Sequence, residues 1–490
     1  MGVYKIWSIL FVVCICGCKN QTTTINVQMD RDVKLLYSNP DIQICYDGFM
    51  DTLKANSTGK LKLIFNLDRG KIVILKTSDS KNNYFLPILP GENYNISLKN
   101  NVFLIDGPNK TGIELYQSVT HYTSTTMDWS MFKNDTLSRD EMIEKIKKKE
   151  LAEFSQLLIA NKITSSFYQL VSNDRDCFYA FVSSWLYSWD MLKIYRNEET
   201  DSSIMREKQT LNRLQKNFEH YYPDDIRLMD SPSWPFYGVF MYIQIYKSFY
   251  LKHVARNNIE GLLSSNLHFT FWFEQVKQSF PEEILESALA FLIHNQAVGD
   301  GLLIEASIPA FQYFKEKYPL SPYLKYFHQH IERVEALFSE EKPDTSIHFL
   351  ENEPDLNTLS KLLTRFKGEK LYIDIWSPTC GPCRTEFQYC DSLEMILKQN
   401  NVTPLYISLD RGNKDAKQWK ALVRYYNLKG YHFRAEQSFI EDLSKLYYED
   451  DMKNTSFVIP WYIFVDENGH IVEKHFKRPS VIVSTKTLFN

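Results

Sequence analysis

Apolar positions change their rhythm along the chain, and each change predicts a different kind of structure. After Lys5 comes an apolar run from Ile6 to Ile15, interrupted only by Ser8. It is too short for a helix that spans a bilayer, which needs about 20 residues, and it suits the apolar core of a secretion signal. Residues 1–17 are therefore expected to be a signal peptide, and the polar run at 18–29 a tether. From 30 to 108 the pattern is short and β-rich: Leu61 to Phe65, Ile72 to Leu75, Tyr84 to Leu89 and Tyr94 to Leu98. Turn signals at Asp68-Arg69-Gly70, Ser80 to Asn83 and Pro90-Gly91 separate these runs and predict a small antiparallel β-sandwich.

From 109 to 342 the period becomes helical. Apolar residues at Met142, Ile143, Ile146, Leu151, Phe154, Leu157 and Leu158 fall on one face of a helix over Arg139–Ala160. Comparable stretches at Phe178–Tyr195, Glu207–Phe218, Phe236–Ala255, Glu282–His294 and Tyr323–Phe338 predict an all-α domain with its breaks at prolines. Glu340 to Asp344 marks a boundary. Residues 343–490 then alternate strand and helix: a strand at Leu371 to Trp376, a helix over Cys383–Gln399, a strand at Thr403 to Leu409, helices at Asp415–Tyr426 and Phe439–Tyr447, and a hairpin around Asp466 to Gly469. The expectation is an α/β layer with a mixed sheet.

Composition narrows the chemistry only slightly. Hydrophobic residues make up 44% of the 490 positions and charged residues 24%, which excludes wholesale disorder. Lys and Arg number 56 against 60 Asp and Glu, a net charge of −4, so the basic excess of a dedicated nucleic-acid binder is missing. Aromatics, at 14%, are concentrated in the helical stretch and read as its core. His253, His294, His328 and His330 lack a ligand-like spacing, and neither a metal nor a cofactor is expected.

The thiols are more informative. Cys14 and Cys16 belong to the signal, leaving Cys18, Cys45, Cys177, Cys380, Cys383 and Cys390, too few for a disulfide-stapled scaffold. Cys380-Gly381-Pro382-Cys383 stands between an apolar strand and a helix. The helix N-terminus would stabilise a thiolate on Cys380, making it the attacking nucleophile, and Cys383 would resolve the mixed disulfide. A zinc site would need a second ligand pair, and a purely structural bridge is the plain alternative. Asp374, a carboxyl in an apolar strand, should have a raised pKa and could take the Cys383 proton.

Trp376 to Arg384, with Asp374 before it and Ile459-Pro460 followed by Trp461 to Asp466, resembles a thioredoxin-fold protein of the TlpA/ResA-like disulfide-reductase family. The resemblance implies a cis Pro460 facing the dithiol and an Ile459 backbone that pairs with an extended substrate. It also implies substrate contacts at Trp376, Gly381 and Pro382, and a supporting acid at Glu386. Gln388 stands where the family often has proline, which predicts a less kinked active-site helix. The chain ends soon after Arg478-Pro479, leaving little room for the usual long final helix. Leu89 to Leu115 resembles a β-domain found ahead of thioredoxin modules in Bacteroidetes lipoproteins.

The small residues before Cys18 resemble a bacterial lipoprotein processing site, implying that Cys18 carries lipid and anchors the protein in the cell envelope, facing the periplasm. Together these resemblances imply a membrane-tethered thiol–disulfide oxidoreductase that reduces protein or peptide disulfides and is recharged by a membrane thiol donor. An isomerase or oxidase using the same cysteines, and an envelope-binding scaffold with an auxiliary thioredoxin domain, stay open.

Overall fold

The computed structural model describes residues 21–489 except 31–32, 41, 79, 81, 100–101, 120, 122–131, 133–137, 196–199, 250–264, 300–304, 340–343, 351–355, 379, 410–415 and 449–457. The expected signal peptide and the expected lipid site Cys18 lie outside the described residues. The described chain packs as two compact units. One comprises residues up to 255 together with 279–288, and the other comprises the rest.

The first unit contains two four-stranded sheets. In one, β4 (Lys60–Leu67), β1 (Gln21–Gln28), β7 (Asn93–Lys99) and β8 (Val102–Asp106) lie in that order; in the other, β3 (Met50–Lys54), β2 (Lys34–Ser38), β5 (Lys71–Thr77) and β6 (Tyr84–Ile88). Both sheets feed one apolar core, with Ile25, Val27, Phe65 and Ile96 from the first and Leu35, Val73, Leu75 and Leu86 from the second.

The expected tether is corrected here. Residues 21–28 are a strand with neighbours on both sides, antiparallel to β4 and parallel to β7. Thr23, Ile25 and Val27 alternate inward, and the Thr23 hydroxyl donates to the Leu89 carbonyl at 2.8 Å, so a threonine run that reads as polar is half buried. Helices follow: α1 (Lys110–Ser118), α2 (Arg139–Ile159), α3 (Ser165–Tyr195), α4 (Asp201–His220) and α5 (Pro235–Lys247), the last wound as a π-helix. Ser138 and Glu141 close a reciprocal capping box at the start of α2, which sets where that helix begins.

The helices α6 (Ser265–Ser279) and α7 (Glu282–Ile293) come next, then α8 (Ser307–Lys317) and α9 (Leu324–Phe338). In the second unit a six-stranded mixed sheet has the order β14 (Ile471–Glu473), β13 (Trp461–Val465), β10 (Lys370–Trp376), β11 (Val402–Ser408), β12 (Gly430–Arg434), β9 (Ile347–Leu350). One face packs on α10 (Leu359–Leu363) and α14 (Gln437–Tyr448), through Leu362, Ile373, Ile407 and Leu443.

The other face is covered by α11 (Gly381–Glu386), α12 (Cys390–Gln399), α13 (Ala416–Tyr425) and the seven-residue α15 (Pro479–Thr485). Val334, on α9, joins that cluster, so the last helix of the stretch expected to be a separate α-domain packs with the α/β sheet. No long final helix is needed, because Ile482 and Leu488 close the cluster formed by Tyr372, Leu393 and Phe464. The active-site helix is also corrected. Without a proline it is still interrupted, by a 3₁₀ turn at Phe387–Tyr389 between α11 and α12. Among the described residues no helix is long and apolar enough to cross a membrane.

Candidate active site

The site grows out of β10, which lies between β11 and β13 and is buried at every position after Lys370. A strand covered on both faces must be apolar throughout. Leu371, Ile373 and Ile375 fill one face; Tyr372, Asp374 and Trp376 fill the other, and Asp374 breaks the rule. It is 1% exposed and sits in register between Tyr406 of β11 and Tyr462 of β13. Its Oδ1 has no hydrogen-bond partner. Burial, reinforced by the charge on nearby Glu386, pushes its pKa well above the usual carboxyl value.

Beyond Trp376 the strand gives way to a turn closed by the Cys380 N–H donating to the Ser377 carbonyl at 3.0 Å. Arg384 ties the same turn from outside, donating to the Pro378 carbonyl at 3.1 Å. Cys380 is the N-cap of α11, and its sulfur accepts the backbone N–H of Cys383 at 3.1 Å. Pro382 stands in the first turn, where its missing N–H costs nothing. Among the described residues nothing lies within 4 Å of where a Cβ on Gly381 would stand, so no close contact demands glycine at this position.

Cys380 is half-buried and Cys383 fully buried; the two are joined in a disulfide with their Cα atoms 5.3 Å apart. One sulfur is thus reachable and the other lies behind it. The Cys383 N–H points at Cys380 Sγ, the orientation in which a helix N-terminus stabilises negative charge.

The other expected residues converge on the same place. The Ile459–Pro460 peptide is cis, and Ile459 packs in one apolar cluster with Cys380, Cys383, Trp376 and Phe387. The Trp376 ring meets Phe387 edge-on at 5.1 Å. Glu386 is buried and accepts from the Ser480 N–H at 2.9 Å and the Ser480 hydroxyl at 3.1 Å, with Arg478 3.6 Å away.

Sequence reading missed Ser480, Tyr406 and Tyr462. Strand register would have found the two tyrosines, but no local signal pairs Ser480 with a residue 94 positions earlier. Among the described residues the other three thiols are free and buried. Cys390 is buried, with its pKa driven up mainly by desolvation and further by Asp374. Cys45 and Cys177 are free and buried, and burial pushes Cys45 to about 12. Among the described residues no group of three or more His, Cys, Asp or Glu is placed to hold a metal ion.

Residues 340–483 match the Redoxin family. This part of the chain is a redoxin domain. The match agrees with the TlpA/ResA-like reading of the Cys-Gly-Pro-Cys and Ile-Pro elements, and the redoxin domain is a thioredoxin-like oxidoreductase. Solved structures similar to part of this chain include one described as a thiol-disulfide oxidoreductase from Bacteroides vulgatus. It is 26% identical, with 26% of this chain and 75% of that one covered and a TM-score of 0.20. The thioredoxin domain of another B. vulgatus thiol-disulfide oxidoreductase is 22% identical over 25% and 81%, with a TM-score of 0.21. A thiol:disulfide interchange protein from Bacteroides sp. is 21% identical over 26% and 77%, with a TM-score of 0.22. No curated protein matches the chain.

Proposed function

We propose that the protein is a lipid-anchored, extracytoplasmic thiol–disulfide oxidoreductase whose redoxin domain reduces disulfides in proteins or peptides. The observation that carries the reading is the asymmetry of the dithiol, a reachable Cys380 capping a helix and a Cys383 buried behind it. In the reduced enzyme the Cys380 thiolate attacks one sulfur of the client disulfide. The client S–S bond breaks, a client thiolate leaves, and a mixed disulfide remains. Cys383 then gives its proton to Asp374, whose raised pKa brings its proton affinity towards that of a thiol. The Cys383 thiolate attacks Cys380 Sγ, releasing the second client thiolate, which takes up a proton. Two electrons pass from the dithiol to the client, and the enzyme is left with the Cys380–Cys383 disulfide.

Gly381 and the exposed Pro382 follow the attacking sulfur along the chain, whereas Trp376, expected to meet substrate, is fully buried and backs the dithiol from inside; the backbone of Ile459 beside cis-Pro460 pairs with the client segment. A membrane thiol donor restores the dithiol, and lipid on Cys18 holds the protein at that membrane. The assay is reduction of insulin by the full chain with dithiothreitol as electron source. Cys380→Ser is expected to lower the rate to that of dithiothreitol alone; catalysis surviving in that variant overturns the reading.

A further inference from the structure

We propose that Ser480 is a positioning residue for the dithiol chemistry: a clasp near the C-terminus that fixes the Glu386 carboxylate against the buried face beneath Cys383. For its catalytic consequence, though not for its geometry, the proposal rests on the oxidoreductase reading.

The segment that carries Ser480 is pinned step by step across that face. The Phe476 N–H donates to the Tyr462 carbonyl at 2.8 Å, and the Tyr372 hydroxyl donates to the Lys477 carbonyl at 3.0 Å. Pro479 is buried, and Ser480 then closes on Glu386 with its N–H on Oε2 and its hydroxyl on Oε1. Both carboxylate oxygens are therefore held by one residue. Arg478 adds less, because at 3.6 Å with a side chain 58% exposed it is a screened surface partner.

The clasp matters because of what Glu386 faces. Asp374 is surrounded by Tyr372 on its own strand, Tyr406 and Tyr462 on the neighbouring strands, Cys390 on α12 and Glu386 on α11. The tyrosine hydroxyls and the Cys390 thiol are held neutral by burial, and Arg478 acts on this group from the rim through Tyr462. Glu386 is therefore the charge that bears on Asp374, and Ser480 fixes where that charge stands. Once the hydroxyl is gone, the Ser480 N–H still holds Oε2 but Oε1 loses its Ser480 partner, so the carboxylate can turn about the remaining bond towards Arg478 and solvent. Its repulsion of the Asp374 carboxylate weakens, and Asp374 releases its proton at lower pH.

The test uses the oxidised full chain, in which the dithiol does not titrate. Aspartate is labelled with ¹³C at the carboxyl, and the Asp374 signal is assigned with Asp374→Asn. Ser480→Ala is expected to lower the Asp374 midpoint by about 0.5–1 pH unit, Ser480→Thr to restore it, and Glu386→Gln to lower it at least as far. In the Glu386→Gln background Ser480→Ala should add nothing. An unmoved midpoint in Ser480→Ala, or an equal shift in both backgrounds, overturns the clasp. Insulin reduction is followed on the same variants. Lack of catalysis by the unsubstituted chain would sink the oxidoreductase reading while the titration still decides the clasp.

Discussion

Asp374 is the most costly residue of the site. Its carboxyl is buried among tyrosines with one oxygen unpartnered, and desolvation raises its pKa well above 3.8. An acid whose folded-state pKa is raised binds more protons in the folded than in the unfolded chain. Below about pH 4 both states are protonated and there is no penalty; as pH rises above that the folded state loses stability, until its own raised pKa is passed. Asp374→Asn is therefore expected to stabilise the oxidised protein at pH 8 by about 1–3 kcal/mol, with the gain shrinking as pH is lowered towards 4. Urea unfolding at a series of pH values reads this, and a pH-independent gain would place the effect outside Asp374 ionisation. In the proposed mechanism the same substitution removes the proton acceptor for Cys383, so stability should rise while resolution slows.

At the scale of elements, what could be read from sequence depended on whether the signal was local. The Cys-Gly-Pro-Cys turn, the strand that carries Asp374 and the isoleucine before the cis-proline declare themselves in short strings, so the centre of the site was legible. β1 did not, because Gln21 to Thr24 is polar and becomes a strand only through its partners on β4 and β7. The interruption at Phe387–Tyr389 was hidden in the same way. No proline announces it, and the turn is held among the buried contacts of Phe387 with Trp376 and Tyr426. Ser480 could not be anticipated, since its partner is distant in sequence. The strand status of β1 has a direct check. Ile25 is fully buried, so Ile25→Ala should cost about 2–5 kcal/mol in urea unfolding. A flexible leash would lose nothing.

For the molecule as a whole, anchoring is tested by Cys18→Ala, which should move the protein from the membrane fraction to the soluble one on cell fractionation; retention at the membrane would remove the lipid from the proposal. With the anchor in place, the position of β1 changes the logistics of catalysis. Hydrogen bonding with β4 begins at Gln21, so only Lys19 and Asn20 separate the acylated cysteine from a folded sheet. Fully extended, that link reaches at most about 10 Å. A protein anchored in this way would be berthed at the lipid surface, with no line on which to range. Encounters with its electron donor then become collisions in two dimensions, set by how fast both slide in the membrane. Clients from the aqueous side must come to the quay.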